Sequence, residues 1–319
     1  MSAPVVVALD IGGTTLAAGL VAADGIVLHS AAHPAVRGDG GRDPGLAGTV
    51  AVAREMTEAA ATLGAPVVAI GAGFPEYVAD SGRLTSREVL DWAVQPARLL
   101  APLAPGRPVT VESDVRCGAL AEARLGAGRG LGSFLYVSLG TGLSAAFVQN
   151  GQVWAGRRGE ALALGAWEVP ASVDPDFSAA PSGGRTPTLE EYVSGAGIAA
   201  RYASATGAPV TGAREVASRA AAGDGTAAAV LTSAGRALGT VLAWAVALLD
   251  PDAVLLGGGL GTAGGLLHDT AQDTYAAHHA RPDPPPVRRA LLGDRSGLLG
   301  AALAVWERHE LTGDAVPSV

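Results

Sequence analysis

The feature that most constrains this chain is a local unit that occurs twice: an apolar strand, a glycine turn, then a second apolar strand. In the first copy Val5–Leu9 runs into Asp10-Ile11-Gly12-Gly13-Thr14-Thr15 and continues as Leu16–Ala22. In the second, Phe134–Leu139 runs into Gly140-Thr141-Gly142 and continues as Ser144–Gln149. Val5–Leu9 is apolar without interruption, the pattern of a strand covered on both faces. The echo predicts an α/β fold of two related lobes with a cleft between them. Glycine turns after strands are common in α/β proteins generally, so the echo alone does not fix the fold. A chain of 319 residues is long enough for two lobes, each with its own core.

The remaining elements fit that plan. Asp24-Gly25 marks a hairpin turn with Ile26–His29 returning, and Asn150-Gly151 marks another. Arg37–Gly45 and Ala171–Thr188 read as irregular loops, rich in Gly, Asp, Pro and Ser. Helical patterning covers Ala47–Leu63, Val115–Leu125, Ser296–Arg308 and most of Leu189–Leu249, the last broken at Gly207–Thr211 and Gly223–Gly225. Further strands are expected at Val67–Gly71, Pro108–Val111 and Ala253–Leu256. The expected division is residues 1–114 completed by a terminal helix at 296–311, and residues 115–295.

Composition excludes several classes. Nearly half the residues are apolar and mean hydropathy is +0.30, yet no uninterrupted apolar run approaches the ~18 residues of a membrane span. Val241–Leu249 is the most apolar helical stretch and is about half that length. A net charge of −8 without a basic stripe argues against a nucleic-acid partner. The N-terminus lacks a signal-peptide pattern and Cys117 is the only cysteine, so a cytoplasmic location is expected. There is no lysine. Schiff-base chemistry and the lysine of a Walker-type phosphate loop are thereby excluded. A nucleotide site here relies on backbone N–H groups, hydroxyls, a metal ion and arginine.

The chemistry-bearing residues cluster at the turns. Gly12 and Gly13 let the backbone approach a phosphate, Thr14 and Thr15 add hydroxyl donors, and Asp10 at the strand end suits Mg²⁺, held through water. Gly140, Thr141 and Gly142 repeat that logic. Gly257, Gly258 and Gly259 follow a third strand and leave room for adenine or ribose. The overlapping Gly259-Leu260-Gly261-Thr262-Ala263-Gly264 matches a dinucleotide fingerprint, but Ala276–Asp283 offers no strand-end carboxylate of the kind a Rossmann unit needs. Asp114 stands at a strand–helix junction in Glu112-Ser113-Asp114, where a carboxylate can take a hydroxyl proton. Ser113 or Asp114 can equally serve as a helix cap, and local pattern does not choose.

In this order the pieces resemble the ROK family of sugar kinases across nearly the whole chain. Asp10–Thr14 is similar to its first phosphate motif, Leu139–Gly142 to its second, Asp250–Gly259 to its adenosine segment and Val111–Glu122 to its catalytic junction. The resemblance implies an actin-like, ribonuclease-H-like two-lobed ATPase fold, Mg²⁺ and ATP as cofactors, Asp114 as catalytic base, and commonly a homodimer. It also implies acceptor contacts from Glu190, and from Ser113 and Glu88 where the family usually has asparagines; Trp167, on an acceptor-side segment, has a core role by default and stacking on a sugar face as the alternative.

The departures lie at the acceptor end. The family's Glu-x-Gly-His is replaced by Ala163-Leu164-Gly165-Ala166, or aligns instead on Gly159-Glu160. Thr188 stands where its last zinc cysteine would be, and a single cysteine rules out a Cys-rich zinc site. Plain glucose is therefore not the expected acceptor; another sugar or amino sugar, or a C7 cyclitol, is. A sugar-responsive repressor would carry a DNA-binding domain before Asp10, and a non-catalytic sensor would not need Asp10, both turns and Asp114 together. The histidines (His29, His33, His268, His278, His279 and His309) show no metal-ligand spacing. Arg157-Arg158 and Arg288-Arg289 read as solvated pairs, and Trp92 and Trp154 as acceptor-side residues with a core role by default.

Overall fold

The computed structural model describes residues 3–35, 45–169, 171–173, 185–279, 282–309 and 311. In chain order the elements are β1 (Val5–Ile11), β2 (Thr15–Ala22), β3 (Val27–Pro34), α1 (Ala47–Thr62), β4 (Val67–Phe74), α2 (Pro96–Leu100), β5 (Val109–Ser113) and α3 (Asp114–Leu125). They continue with β6 (Ser133–Leu139), β7 (Leu143–Gln149), β8 (Gln152–Trp154), α4 (Leu189–Val193), α5 (Gly195–Thr206), α6 (Ala213–Ala221) and α7 (Gly225–Leu249). The last are β9 (Ala253–Gly257), α8 (Gly258–Gly261), α9 (Leu266–His278), β10 (Val287–Arg289) and α10 (Ser296–Arg308). The chain forms two compact units: Met1–Gly130 with Gln152–Ala161 and Asp294–Val319, and Leu131–Gly151 with Leu162–Gly293.

There are two five-stranded sheets, ordered β3-β2-β1-β4-β5 and β10-β9-β6-β7-β8. Read from the other edge, the second has the plan of the first. In each, the strand before the glycine turn is central, its hairpin partner is antiparallel, and the next strand pairs parallel on the other side (β4 with β1, β9 with β6). The repeat seen in the sequence is thus a repeat of sheet topology. Central position explains the composition of β1: Val5 to Leu9 are fully buried, because both faces of the strand are covered.

Each unit has its own core. Leu9, Leu20, Met56, Ile70 and Phe74 anchor the first; Leu135, Leu189, Tyr192, Ile198 and Leu238 anchor the second. In the first unit α10 packs on α3 and on the sheet through small residues. A Cβ on Gly300 would overlap the Cys117 carbonyl, and one on Gly71 would overlap that of Ala301. Close approach of helix backbones accompanies the seating of α3 on β4, where a Cβ on Gly73 would lie 3.4 Å from the Asp114 Cα.

The sequence expectations need three adjustments. The strand from Val67 extends to Phe74. The helical region after Leu189 has an extra break at Ser194, whose side chain caps α5 by accepting from Gly197 N–H at 3.1 Å. The third concerns helix length: α7 runs unbroken for 25 residues, and one 18-residue window has a mean hydropathy of 1.4, long and apolar enough to span a membrane by composition. Its N-terminal half carries polar residues among many alanines, so the apolar run Val241–Leu249 understated it. That window is 78% buried within the protein, where α7 is the central helix of the second core. Of the two loops expected to be irregular, residues 36–44 and 174–184 lie outside the described residues.

The tightest helix contact gives a direct check. Gly300→Ala should lower unfolding free energy by about 1–3 kcal/mol, the usual cost of overpacking, read as a reduced urea midpoint with unchanged slope. An unchanged midpoint would mean that α10 and α3 are not held this closely.

Candidate active site

The first unit gathers Asp10, Gly12–Thr15, Glu88, Ser113 and Asp114. The turn after β1 closes by a hydrogen bond from Gly12 N–H to Thr15 O at 2.8 Å, leaving Thr14 and Thr15 exposed. Asp10, at the end of β1, lies over the first turn of α10, in space that a Cβ on Gly297 would fill. Among the described residues its carboxylate has no hydrogen-bond or ion-pair partner. Burial raises its pKa to about 6.

Asp114 is the first residue of α3. Ser113 occupies the cap position, but its side chain makes no capping hydrogen bond. One Asp114 oxygen accepts from Val115 N–H at 2.6 Å. Burial raises the Asp114 pKa to about 7, aided by the negative charges of Asp10 and Glu76 and opposed by the Val115 N–H and the Ser113 hydroxyl. Two desolvated carboxyls, one near 6 and one near 7, thus lie close enough for the charge of Asp10 to act on Asp114, and among the described residues no basic side chain pairs with either.

Glu76 was not singled out from the sequence. It lies just past β4, is almost fully buried, and ties down the loop that carries Glu88. An acidic residue after an apolar strand and a proline gives no signal of this, because its partners lie 10 to 14 residues downstream.

The second unit gathers Gly140–Gly142, Glu190, Trp167 and Gly257–Gly259. The turn closes by Gly140 N–H to Gly142 O at 3.0 Å and is braced from outside. Gly195 and Ala196, opening α5, donate to the carbonyls of Gly140 and Thr141 at 2.8 and 3.1 Å. Glu190 accepts from Leu143 N–H at 2.8 Å through Oε2, and a Cβ on Gly142 would lie only 2.9 Å from that oxygen. Glu190 therefore positions the turn as well as standing exposed beside it.

Pairing of β6 with β9 sets Ser138 against Gly257, and Gly258 packs on the Leu139 carbonyl with φ of 73°. This joins the third glycine segment to the second turn. A Cβ on Gly140 or Gly259 would meet nothing within 4 Å, so neither glycine is demanded by the protein's own packing. The fingerprint-like run at Gly259–Gly264 lies in α8 and the turn after it, and no strand separates it from α9.

On the acceptor-side segments, Gly165 stands beside Glu190, with its Cβ position 3.4 Å from that of Glu190. Glu160 instead pairs with Arg158 at 2.8 Å. Trp167 is partly buried against the second core. Trp92 donates to Ser86 O at 2.7 Å and Trp154 is exposed. Thr188 is the N-cap of α4, in a capping box with Glu191. Among the described residues no group of three or more His, Cys, Asp or Glu side chains is arranged to hold a metal.

Two sheets of one plan, each with a glycine turn at the end of its central hairpin, define an α/β protein of the actin-like, ribonuclease-H-like class. Residues 6–308 match the model of the ROK family, and the chain belongs to that family. Among solved structures, a ROK hexokinase from Thermus thermophilus superposes with a TM-score of 0.79 at 30% identity, over 96% of this chain and 99% of that one. A ROK glucokinase from Streptomyces griseus, in complex with glucose and AMPPNP, superposes with a TM-score of 0.76 at 29% identity, over 94% and 98%. The bifunctional enzyme NanE/NanK of Brucella melitensis is 36% identical over 199 residues, 62% of this chain and 35% of that one. The matched stretch thus spans about a third of that enzyme's length.

The raised pKa of Asp114 is a statement about stability. The folded state binds this proton more tightly than the unfolded chain, so the favourable contribution is complete below pH 3.8 and is lost as pH rises through about 7. Asp114→Asn removes the charge and should raise the melting temperature at pH 8, with a gain that shrinks toward pH 5. Thermal unfolding of both proteins at the two pH values reads this, and a variant no more stable at pH 8 would mean that Asp114 is well solvated.

Proposed function

We propose that this protein is an ATP-dependent kinase that transfers the γ-phosphoryl group to a hydroxyl of a sugar or sugar-like small molecule other than plain glucose. The observation that carries the reading is Asp114: a desolvated carboxyl with a pKa near 7, at the start of a helix, beside the partnerless carboxylate of Asp10. A base that takes a proton near neutral pH needs this kind of tuning.

The residues fit Mg²⁺ and ATP. Asp10 offers the hard oxygen donor that Mg²⁺ prefers, in a place where burial makes an uncompensated charge costly. Gly12–Thr15 and Gly140–Gly142 each present backbone N–H groups and hydroxyls suited to phosphate oxygens. The open space at Gly140 and Gly259 suits close approach of a nucleotide to backbone. When bound, Mg²⁺ supplies charge neutralisation on the transferring phosphate.

Asp114 orients the acceptor hydroxyl and accepts its proton as the oxygen bonds to the γ-phosphorus; the bond to the β–γ bridging oxygen breaks and ADP leaves. Glu190 keeps Oε2 on the Leu143 N–H and offers Oε1 to acceptor hydroxyls. Glu88, Ser113 and Trp167 complete the acceptor contacts in this reading. Side chains that differ from the family's at Ser113, Glu88 and Ala163–Ala166 support an acceptor other than glucose, because a missing hydrogen-bond partner discriminates against the hydroxyl it served. A C7 cyclitol, which keeps the ring hydroxyls but lacks the ring oxygen, is the particular alternative within this reading. A homodimer in the cytoplasm belongs to the same reading and rests on the resemblance alone.

The test is ADP release from Mg·ATP across hexoses, N-acetylhexosamines and C7 cyclitols. One acceptor should be turned over strongly, and Asp114→Asn should lose about 10²–10⁴-fold in turnover while still binding nucleotide. A fully active Asp114→Asn would assign the base elsewhere. Efficient turnover of glucose below 1 mM would overturn the acceptor assignment, and ATP binding without turnover of any acceptor would favour a sensor.

A further inference from the structure

Glu76 uses a buried carboxylate on a stretch of chain with no regular structure. It is only 3% exposed. Its Oε2 accepts from the Ser86 hydroxyl and from Glu88 N–H at 2.9 Å; its Oε1 accepts from Val89 N–H at 2.9 Å and Leu90 N–H at 2.7 Å. Three successive backbone N–H groups converge on one anion, so the loop is wrapped around the charge, as backbone nests wrap bound anions. Charge-assisted bonds of this kind are about twice as strong as neutral ones. Both oxygens are occupied by these donors, so Glu76 is placed to hold chain.

The held loop touches two parts of the site. It carries Glu88, the acceptor-side carboxylate of the proposed kinase. The next residue, Val89, packs its Cγ1 against Gly13 of the first glycine turn, 3.1 Å from where a Cβ on that glycine would lie. Its outer face is closed by the bond from Trp92 Nε1 to Ser86 O and by the Arg87 guanidinium, 4.6 Å from the centre of the Trp92 ring. Tyr77 N–H donates back to the Ser86 hydroxyl at 2.9 Å, which closes the loop onto the residue after Glu76.

We propose that Glu76 is a positioning residue that fixes the loop Ser86–Leu90, holding Glu88 in register for the acceptor and Val89 against the first phosphate turn. The proposal rests on the kinase reading for its functional half only; the anchoring stands on the geometry. The negative charge of Glu76 is also one of those acting on Asp114, so the same side chain bears on the base as well as on the loop.

The experiment pairs hydrogen exchange with kinetics on the full chain. Glu76→Gln keeps the size but turns an amide nitrogen toward N–H donors. Exchange at the amides of Glu88, Val89 and Leu90 should speed up tenfold or more, with β1 and β4 unchanged. With the fastest acceptor among glucose, N-acetylglucosamine, N-acetylmannosamine and a C7 cyclitol, acceptor KM should rise at least tenfold and ATP KM far less. Ser86→Ala, which removes one of the four bonds, should shift both readouts the same way by less, and it serves if Glu76→Gln does not fold.

Unchanged exchange at residues 88–90 would overturn the anchoring. Faster exchange with both KM values unchanged, or raised equally, would overturn the positioning role and leave Glu76 a structural residue. If no acceptor is turned over, the kinase reading fails, and with it the functional half of the proposal. The exchange result then decides the anchoring alone.

Discussion

Like charges held out of water are the constraint on which the first unit depends. Asp10 and Asp114 come from elements far apart in sequence, the end of the first strand and the start of α3; burial raises the proton affinity of both, and the charge of Asp10 raises that of Asp114 further. The glycines at 71, 297 and 300 let α10 approach the sheet, Asp10 and α3 more closely than any side chain would permit. A fold optimised for stability alone would have placed an amide or an apolar residue at one of the two positions.

Among the described residues, no basic side chain forms an ion pair with Asp10 or Asp114. Every basic residue apart from histidine is arginine, and several of these have structural duties. Arg116 is buried against Glu112 and the Val78 carbonyl, each at 2.5 Å; Arg201 lies over the Tyr192 ring at 3.5 Å and donates to Tyr192 O at 3.1 Å; Arg124 pairs with Glu307 at 2.7 Å. A guanidinium suits such work because its planar fork satisfies several acceptors at once.

Much of this was legible in the sequence because it is local. The two strand–turn–strand units, the junction at Asp114 and the glycines after β9 are contiguous patterns, and each sits where its pattern put it. What the sequence hid is what depends on return of the chain. Glu76 acts on residues 10 to 14 positions later through backbone N–H groups, which carry no side-chain signature. Glu190 reads as an acceptor ligand, yet in the fold it also braces Leu143, 47 positions earlier. Gly297 looks like an ordinary helix residue until Asp10 fills the space above it. The short edge strands β8 and β10 and the helix α9 gave too little periodicity to be drawn.

The two sheets share one plan, so comparing equivalent positions shows where their chemistry parted. Asp10 stands two residues before Gly12 and pairs across the sheet with Gly73; Ser138 stands two residues before Gly140 and pairs with Gly257. The backbone solution is the same in both copies: a hairpin turn closed by the N–H of its first glycine, next to a glycine on the parallel neighbour. Only the first copy carries a carboxylate. In the second, the equivalent side chain is a hydroxyl, and the acidic group nearby, Glu190, is engaged from outside with the N–H of Leu143. A carboxylate only accepts hydrogen bonds, whereas a hydroxyl can also donate, so the two strand ends offer different chemistry. The repeat thus keeps the glycine-turn backbone twice and the carboxylate before it once.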